Sequence, residues 1–291
     1  MTVVVLTGAT RGIGRAAATQ LASQGAELAL VGREAERVRE VAREAAAAGG
    51  GGPIHEHVAD LSLMAEVRRL AAEIRERHER IDVLANNAGA LFARRHETPE
   101  GFERTFALNH LAPFLLTHLL RDRLAGGRVV TTASDAHKSG RLDLDDLQSE
   151  NSYGAMGVYS TSKLCNVLFT RELARRAPEL RANCFHPGVV RTGFAKNESG
   201  IWKILLTIGA PFLRSPQRGA RSLVWLALSD ETAGLSGEYI EDEKVATPSA
   251  QAQDDALARG LWERSAELVG LPSESGPAAA PQAGGSTSGA P

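Results

Sequence analysis

The sequence predicts an α/β fold in which helices wind over both faces of a mostly parallel sheet. Three observations carry that prediction. Short apolar runs alternate with longer helical patterns, a glycine-spaced turn follows the first run, and no internal repeat or interdomain linker interrupts the alternation. Strands that recur with helical crossovers of this length pair in parallel.

The elements follow in order. Val3 to Leu6 is the first strand, and Gly14 to Gln24 the first helix. Glu27 to Val31 and Ile54 to Val58 are strands on either side of a helix over Glu34 to Ala48. The glycine run Gly49 to Gly52 makes the connecting loop. Leu63 to Arg77 is the third helix and Val83 to Ala85 the fourth strand. Gly101 to Leu120 is helical with a break expected near Pro113, since proline lacks the backbone donor a helix interior needs. Arg128 to Thr132 and Ala182 to Phe185 are further strands.

Composition bounds the function. The chain has 291 residues, 43% of them hydrophobic, enough for a substantial core in one domain. Its 35 acidic and 33 basic residues leave a formal charge of -2, which argues against a nucleic-acid partner. Cys165 and Cys184 are too few for a disulfide framework and fit a reduced interior. The apolar stretch from Ile201 to Leu213 contains Lys203 and Pro211 and is shorter than the roughly 20 residues a membrane span needs. A cytoplasmic protein without an integral membrane span is expected; contact of that stretch with a membrane surface stays open. Residues 1–270 read as the folded domain and 271–291 as a disordered tail of Pro, Gly, Ser and Ala.

The segment from Leu6 to Gly14 has the spacing of a dinucleotide-binding turn. Gly8 allows the tight turn, Gly12 the approach of a pyrophosphate, and Gly14 close packing of the helix. Backbone N–H groups at the start of the helix then hold the phosphates. Where an NAD site ordinarily places an acid, at the end of the second strand, this chain has Arg33. With Arg11 in the glycine loop, that guanidinium suits a 2′-phosphate and hence NADP(H). Arg33 also reads as a solvated arginine beside Glu34 and Glu36. Asp60 either bonds the adenine amino group or caps the helix beginning near Leu63.

These residues, with Asn86-Asn87-Ala88-Gly89, Asn109, Ser134, Tyr159-Ser160-Thr161-Ser162-Lys163 and Pro187-Gly188, resemble the short-chain dehydrogenase/reductase superfamily. The resemblance runs from about Val3 to Leu268. Leu147 to Glu150, Ser162 to Leu173 and His186 to Thr192 are similar to its retinol dehydrogenase-like branch. The resemblance implies a single Rossmann-fold domain with seven strands, dimerising through the helices Gly101 to Leu120 and Tyr159 to Arg176. Whether they pair in this chain is left open.

Chemistry gives the central residues roles of their own. Tyr159 and Lys163, at i and i+4, share a helix face, and a cation there favours the phenolate. Tyr159 is the candidate general acid in reduction and base in oxidation. Lys163 lowers its pKa and holds the nicotinamide ribose. Ser134 bonds the substrate oxygen. The resemblance implies that Asn109 positions Lys163 through water. It also places Thr10, Ile13, Asn87, Ala88, Gly89, Pro187, Gly188, Val190 and Thr192 against the cofactor. Where the family often has paired serines, this chain has Ala133-Ser134.

Gly140 to Leu147 is expected to form one rim of the substrate mouth, and Gly193 to Arg214, with Phe194 and Trp202, the other. His137 either faces the mouth or lies in an external loop. The histidines lack the spacing of a structural zinc site, so no metal is expected. The function implied is interconversion of a hydrophobic alcohol and its aldehyde or ketone. Double-bond reduction of the protochlorophyllide reductase type, or nucleotide binding without turnover, are the alternatives.

Overall fold

The computed structural model describes residues 1–190 and 214–272. Thr192, Phe194, Trp202 and all of the Gly193 to Arg214 rim except Arg214 lie outside these residues, as does the tail beyond Pro272. The chain alternates β1 (Val3–Thr7), α1 (Gly12–Ser23), β2 (Glu27–Gly32), α2 (Ala35–Ala47), β3 (Ile54–Val58), α3 (Met64–Arg77) and β4 (Val83–Asn86). After a further helical run come β5 (Arg128–Thr132), α6 (Ala155–Arg176) and β6 (Arg181–His186). Helix α7 (Pro216–Leu228), strands β7 (Tyr239–Glu241) and β8 (Lys244–Ala246), and α8 (Asp255–Leu268) complete the described residues.

The strand order is β3-β2-β1-β4-β5-β6-β7-β8. The order reverses between β1 and β4, so the loops after these strands diverge and open a crevice at their carboxyl ends. Alternation along the strands serves both faces. Val4 and Leu6 join the core under α1, α2 and α7, whereas Val5 joins the core under α3, α6 and α8.

The sheet has eight strands among the described residues, not the seven implied by the resemblance. The extra strand, β8, pairs antiparallel with β7 through a two-residue turn. Asp242 and Glu243 there have φ of 50° and 62°. Such turns normally advertise themselves by Asn-Gly or Asp-Gly, absent here, and a three-residue strand with exposed Lys244 and Val245 has no apolar alternation to find.

The helical run before β5 also differs from expectation. It consists of α4 (Arg104–Phe106), a π-helical turn over Ala107–Leu111, and α5 (Ala112–Leu120). The helical run is unbroken from Arg104 to Leu120, and the irregularity over Ala107–Leu111 lies immediately before Pro113, whose missing N–H withholds a donor from that turn. Glu103 starts α4 by accepting from the N–H groups of Thr105 and Phe106 at 2.8 and 2.7 Å.

Helix α8 lies over α5 and α6. Trp262 packs edge-on to Phe114 at 5.1 Å and stacks with Phe169 at 5.9 Å. His110 Nε2 and Ser265 Oγ lie 2.8 Å apart. The helices considered for dimerisation are therefore covered, in these regions, by α8, the last helix among the described residues. Leu271, assigned to the tail, still packs against this core. No helix among the described residues is long and apolar enough to cross a membrane.

Candidate active site

The crevice is cross-braced before any ligand enters it. Thr7 Oγ1 donates to Ala85 O at 3.1 Å and accepts from Asn87 N at 2.9 Å and Ala88 N at 3.1 Å. Asn87 Nδ2 donates to Thr7 O at 3.0 Å, and Thr132 Oγ1 donates to Asn87 Oδ1 at 3.3 Å. Asn86 ties β4 to α5 through Thr117 Oγ1 at 3.1 Å. Thr7 was not among the expected site residues; its only signal was a hydroxyl at the end of an apolar strand.

The glycine loop has the geometry its spacing predicts. Gly8 and Gly12 have φ of 65° and 51°. A Cβ on Gly14 would stand 2.1 Å from the Gly8 carbonyl oxygen, so the helix can approach the loop only with glycine there. No side chain caps α1, leaving its first N–H groups available to an anion. Thr10 packs over Gly32, where a Cβ would lie 2.4 Å from its methyl carbon. Ile13, Pro187 and Val190 converge on Gly219 of α7. Gly188 takes a φ of 80°, and Val190 pairs with Arg214. These features fit a dinucleotide pyrophosphate.

Arg11 and Arg33 flank the end of β2, each beside an acid. Arg11 Nη2 is 3.1 Å from Glu34 Oε1, which Arg37 also contacts at 3.0 Å. Arg33 Nη1 lies 3.9 Å from Asp60 Oδ2. Asp60 accepts from Ser62 N and Ser62 Oγ at 3.0 and 2.7 Å and does not cap α3. Glu100 does, taking the N–H groups of Met64 and Ala65 at 2.6 and 2.8 Å from a distant loop.

Ser134, Tyr159 and Lys163 gather at the carboxyl end of β5. Ser134 lies two residues beyond the strand and caps the turn that follows, its Oγ accepting from Ala136 N at 3.2 Å, while its side chain also hydrogen-bonds Tyr159. Lys163 is buried; its Nζ donates to Thr132 O at 2.9 Å and lies 5.6 Å from the Tyr159 ring centre. Burial pushes the Tyr159 phenol up to about 12, with the Ser134 bond opposing that shift. Burial likewise lowers Lys163 to about 8. Desolvation thus works against the lowering of the Tyr159 pKa expected from Lys163.

Asn109 sits in the π turn and is fully buried. Its Nδ2 donates to Ala90 O at 3.0 Å and Ser162 Oγ at 2.9 Å, and its Oδ1 accepts from Ala90 N at 2.9 Å. A Cβ on Gly89 would stand 3.2 Å from Asn109 Oδ1 and 3.4 Å from Lys163 Nζ, so both groups face the same glycine. The π turn is a local widening of the kind that recurs at functional sites.

His137 neither faces the mouth nor lies in an external loop. It is fully buried, its Nδ1 is 2.7 Å from Ser134 O, and its Nε2 takes the Ser249 N–H at 3.1 Å. With both nitrogens engaged by the main chain, it has none left for substrate. The Gly140 to Leu147 segment is anchored inward as well, with Leu142 buried and Leu144 and Leu147 packed against the core.

At the other end of the sheet, Glu27, His55 and His78 have ligand atoms within 4.8 Å of one another, a grouping no sequence spacing reveals. Glu27 Oε1 lies 3.1 Å from His55 Nε2 and 3.3 Å from His78 Nδ1, and Arg77 Nη1 lies 3.0 Å from His55 Nδ1. A guanidinium on the same imidazole disfavours a cation there.

The fold and the site together define a nucleotide-binding oxidoreductase. The chain belongs to the short chain dehydrogenase family, whose model matches residues 2–200. It is 45% identical over 268 residues to the provisionally named daunorubicin C-13 ketoreductase DnrU of Streptomyces sp. (strain C5), covering 92% of each chain. It is 38% identical to retinol dehydrogenase 13 of Homo sapiens, over 92% of this chain and 84% of that one, and stands with the retinol dehydrogenase-like branch. Among solved structures, an uncharacterized protein from Mycobacterium paratuberculosis matches with TM-score 0.77 and 32% identity, over 93% of this chain and 94% of that one. An alcohol dehydrogenase of the archaeon Thermococcus sibiricus, complexed with 5-hydroxy-NADP, matches with TM-score 0.65 and 26% identity, over 82% and 95%.

Proposed function

We propose that residues 1–270 catalyse the NADP(H)-dependent interconversion of a hydrophobic alcohol and its aldehyde or ketone, with Ser134, Tyr159 and Lys163 as the reacting set. The observation that carries this is the meeting of the half-buried Tyr159 phenol with the Ser134 hydroxyl at the mouth of the glycine-loop crevice. One relative is named for reduction of a ketone and another for dehydrogenation of retinol, and both reactions fall in this class.

When bound, the reduced cofactor supplies a hydride to the carbonyl carbon. Tyr159 donates its phenolic proton to the carbonyl oxygen, completing the alcohol, and in oxidation its phenolate takes that proton back. Ser134 Oγ already accepts from Ala136 N, so its own hydrogen is free to be shared with Tyr159 or the substrate oxygen, where charge develops. Lys163 presents its ammonium to the ribose hydroxyls and to Tyr159. Asn109 holds the Ala90 loop and helix α6 at fixed separation, and so keeps Lys163 facing Gly89. Gly8, Gly12 and Gly14, with the start of α1, take the pyrophosphate, and Arg11 and Arg33 take the 2′-phosphate.

The test is consumption of NADPH with retinal, daunorubicin and a panel of other aldehydes, ketones, quinones and activated alkenes. Reduction of an aldehyde or ketone that stops in Tyr159→Phe supports the proposal. Turnover confined to alkenes would favour double-bond reduction, and tight NADPH binding without turnover of anything would favour a nucleotide-binding protein.

A further inference from the structure

Two buried histidines grip opposite ends of a single peptide bond, the one that follows Ser134. His137 Nδ1 faces the Ser134 carbonyl oxygen at 2.7 Å, and His186 Nδ1 faces the Asp135 N–H at 3.1 Å. The partners settle the tautomers. A carbonyl can only accept, so His137 carries its proton on Nδ1, leaving Nε2 bare for the Ser249 N–H at 3.1 Å. An N–H can only donate, so His186 is bare at Nδ1. The Ser134 carbonyl receives a second bond from His137 N at 3.0 Å.

We propose that His137 and His186 are positioning residues for the reaction: by holding both ends of the Ser134–Asp135 peptide they fix the direction in which Ser134 presents its hydroxyl. A peptide unit is planar, so fixing its carbonyl and its N–H fixes the dihedral that joins it to the Ser134 Cα. The side chain leaves that same Cα. The restraint comes from well-anchored parts of the fold, since His186 ends β6 and His137 is tied to Ser249 beyond β8. Its ring also packs against Tyr239 of β7 at 4.8 Å. Both imidazoles act in their neutral form, which burial favours by lowering their pKa values. The inference rests on Ser134 being the group that bonds the substrate oxygen.

The test uses His186→Leu and His186→Asn in the full chain, with retinal and NADPH as probes. Leucine keeps bulk and removes the acceptor; asparagine restores an acceptor near the Nδ1 position. Expected is a fall in kcat of about 10- to 100-fold for His186→Leu, the order that misplacement of a reacting group produces. KM and the Kd for NADPH should stay nearly unchanged, and His186→Asn should recover most of the rate. If His186→Leu does not fold, His186→Asn is compared with His186→Gln, which reaches the Nε2 position instead. Equal rates for that pair overturn the proposal. Hydrogen exchange of the Asp135 amide reads the clamp without any substrate; exchange as fast as an exposed amide in the wild type also overturns it. Tyr159→Phe runs alongside. If that variant stays active, the chemical assignment has failed; if it is dead while His186→Leu keeps its kcat, only the positioning role has.

Discussion

Lys163 Nζ donates to the main-chain oxygen of Thr132 at 2.9 Å, and Asn166 Nδ2 donates to the same oxygen at 3.2 Å. The cation is thereby fastened to the strand that delivers Ser134, two residues further on. Serine and lysine are thus referenced to one backbone, with Tyr159 one helical turn before Lys163. Lys163→Ala should lower both turnover and NADPH affinity, measured by single-turnover kinetics and by fluorescence titration. Tyr159→Phe should leave affinity intact and lower the single-turnover rate by about 10²- to 10⁴-fold. Retention of more than about a tenth of the rate in Tyr159→Phe would remove it as proton donor.

The two directions of the reaction should respond differently to pH. Reduction needs the protonated phenol, and burial pushes that phenol up to about 12. Its rate should be flat through neutrality. Oxidation needs the phenolate, whose fraction grows about tenfold per pH unit below the pKa. The oxidation rate should therefore climb with pH, then bend where Lys163, lowered to about 8, loses its charge. Rates of alcohol oxidation that stay constant between about pH 6 and pH 8 would contradict the assignment of Tyr159 as base.

The long, strongly patterned elements were legible in the sequence, and so was the chain of motifs that meets at the crevice. What escaped has physical causes. Strand β8 is held by pairing with β7, not by any apolar alternation of its own. The π turn around Asn109 is paid for by side-chain bonds to Ala90 and Ser162, which lie far away in sequence. Glu100 caps α3 from a loop 36 residues from Met64, so no capping box announces it. His137 read as either a mouth or a loop histidine because its partner, Ser249, is 112 residues away.

Cofactor choice can be tuned at one carboxylate. Glu34 engages Arg11 at 3.1 Å and Arg37 at 3.0 Å, so a 2′-phosphate must compete with it for Arg11. Arg33 Nη1 is only 3.9 Å from Asp60 and its side chain is 57% exposed, leaving it free to turn toward a phosphate. NADP(H) should bind more tightly than NAD(H), and Arg33→Ala should shrink that preference by about tenfold, roughly the 1.4 kcal/mol of one charge-assisted bond. Glu34→Gln should widen it. Titration of both cofactors against each variant decides; a wild type that binds NAD(H) more tightly would end the assignment.

Helix α8 covers the face of α5 and α6 through Trp262, which is 3% exposed and contacts Phe114, His118 and Phe169. Trp262→Ala should lower stability by about 3–5 kcal/mol, the usual cost of emptying a large aromatic site. A dimer that paired through this face would have to displace α8.

Stability should fall in mild acid, and the histidines supply the reason. His57, His78, His110, His137 and His186 all have pKa values lowered by burial. His110 is the extreme case, fully buried between Phe106 and Phe114 and pushed down to about 3. In the unfolded chain each titrates near about 6.5. Between that value and its lowered folded value, the unfolded state binds the proton and the native state does not. The contribution is therefore complete above about pH 6.5 and is lost progressively as pH falls through that window. The melting temperature should drop between about pH 7 and pH 5, and His110→Gln should flatten the slope, because glutamine keeps a polar group near Ser265 and cannot take up a proton. A slope that is the same in wild type and His110→Gln would assign the acid sensitivity to other groups.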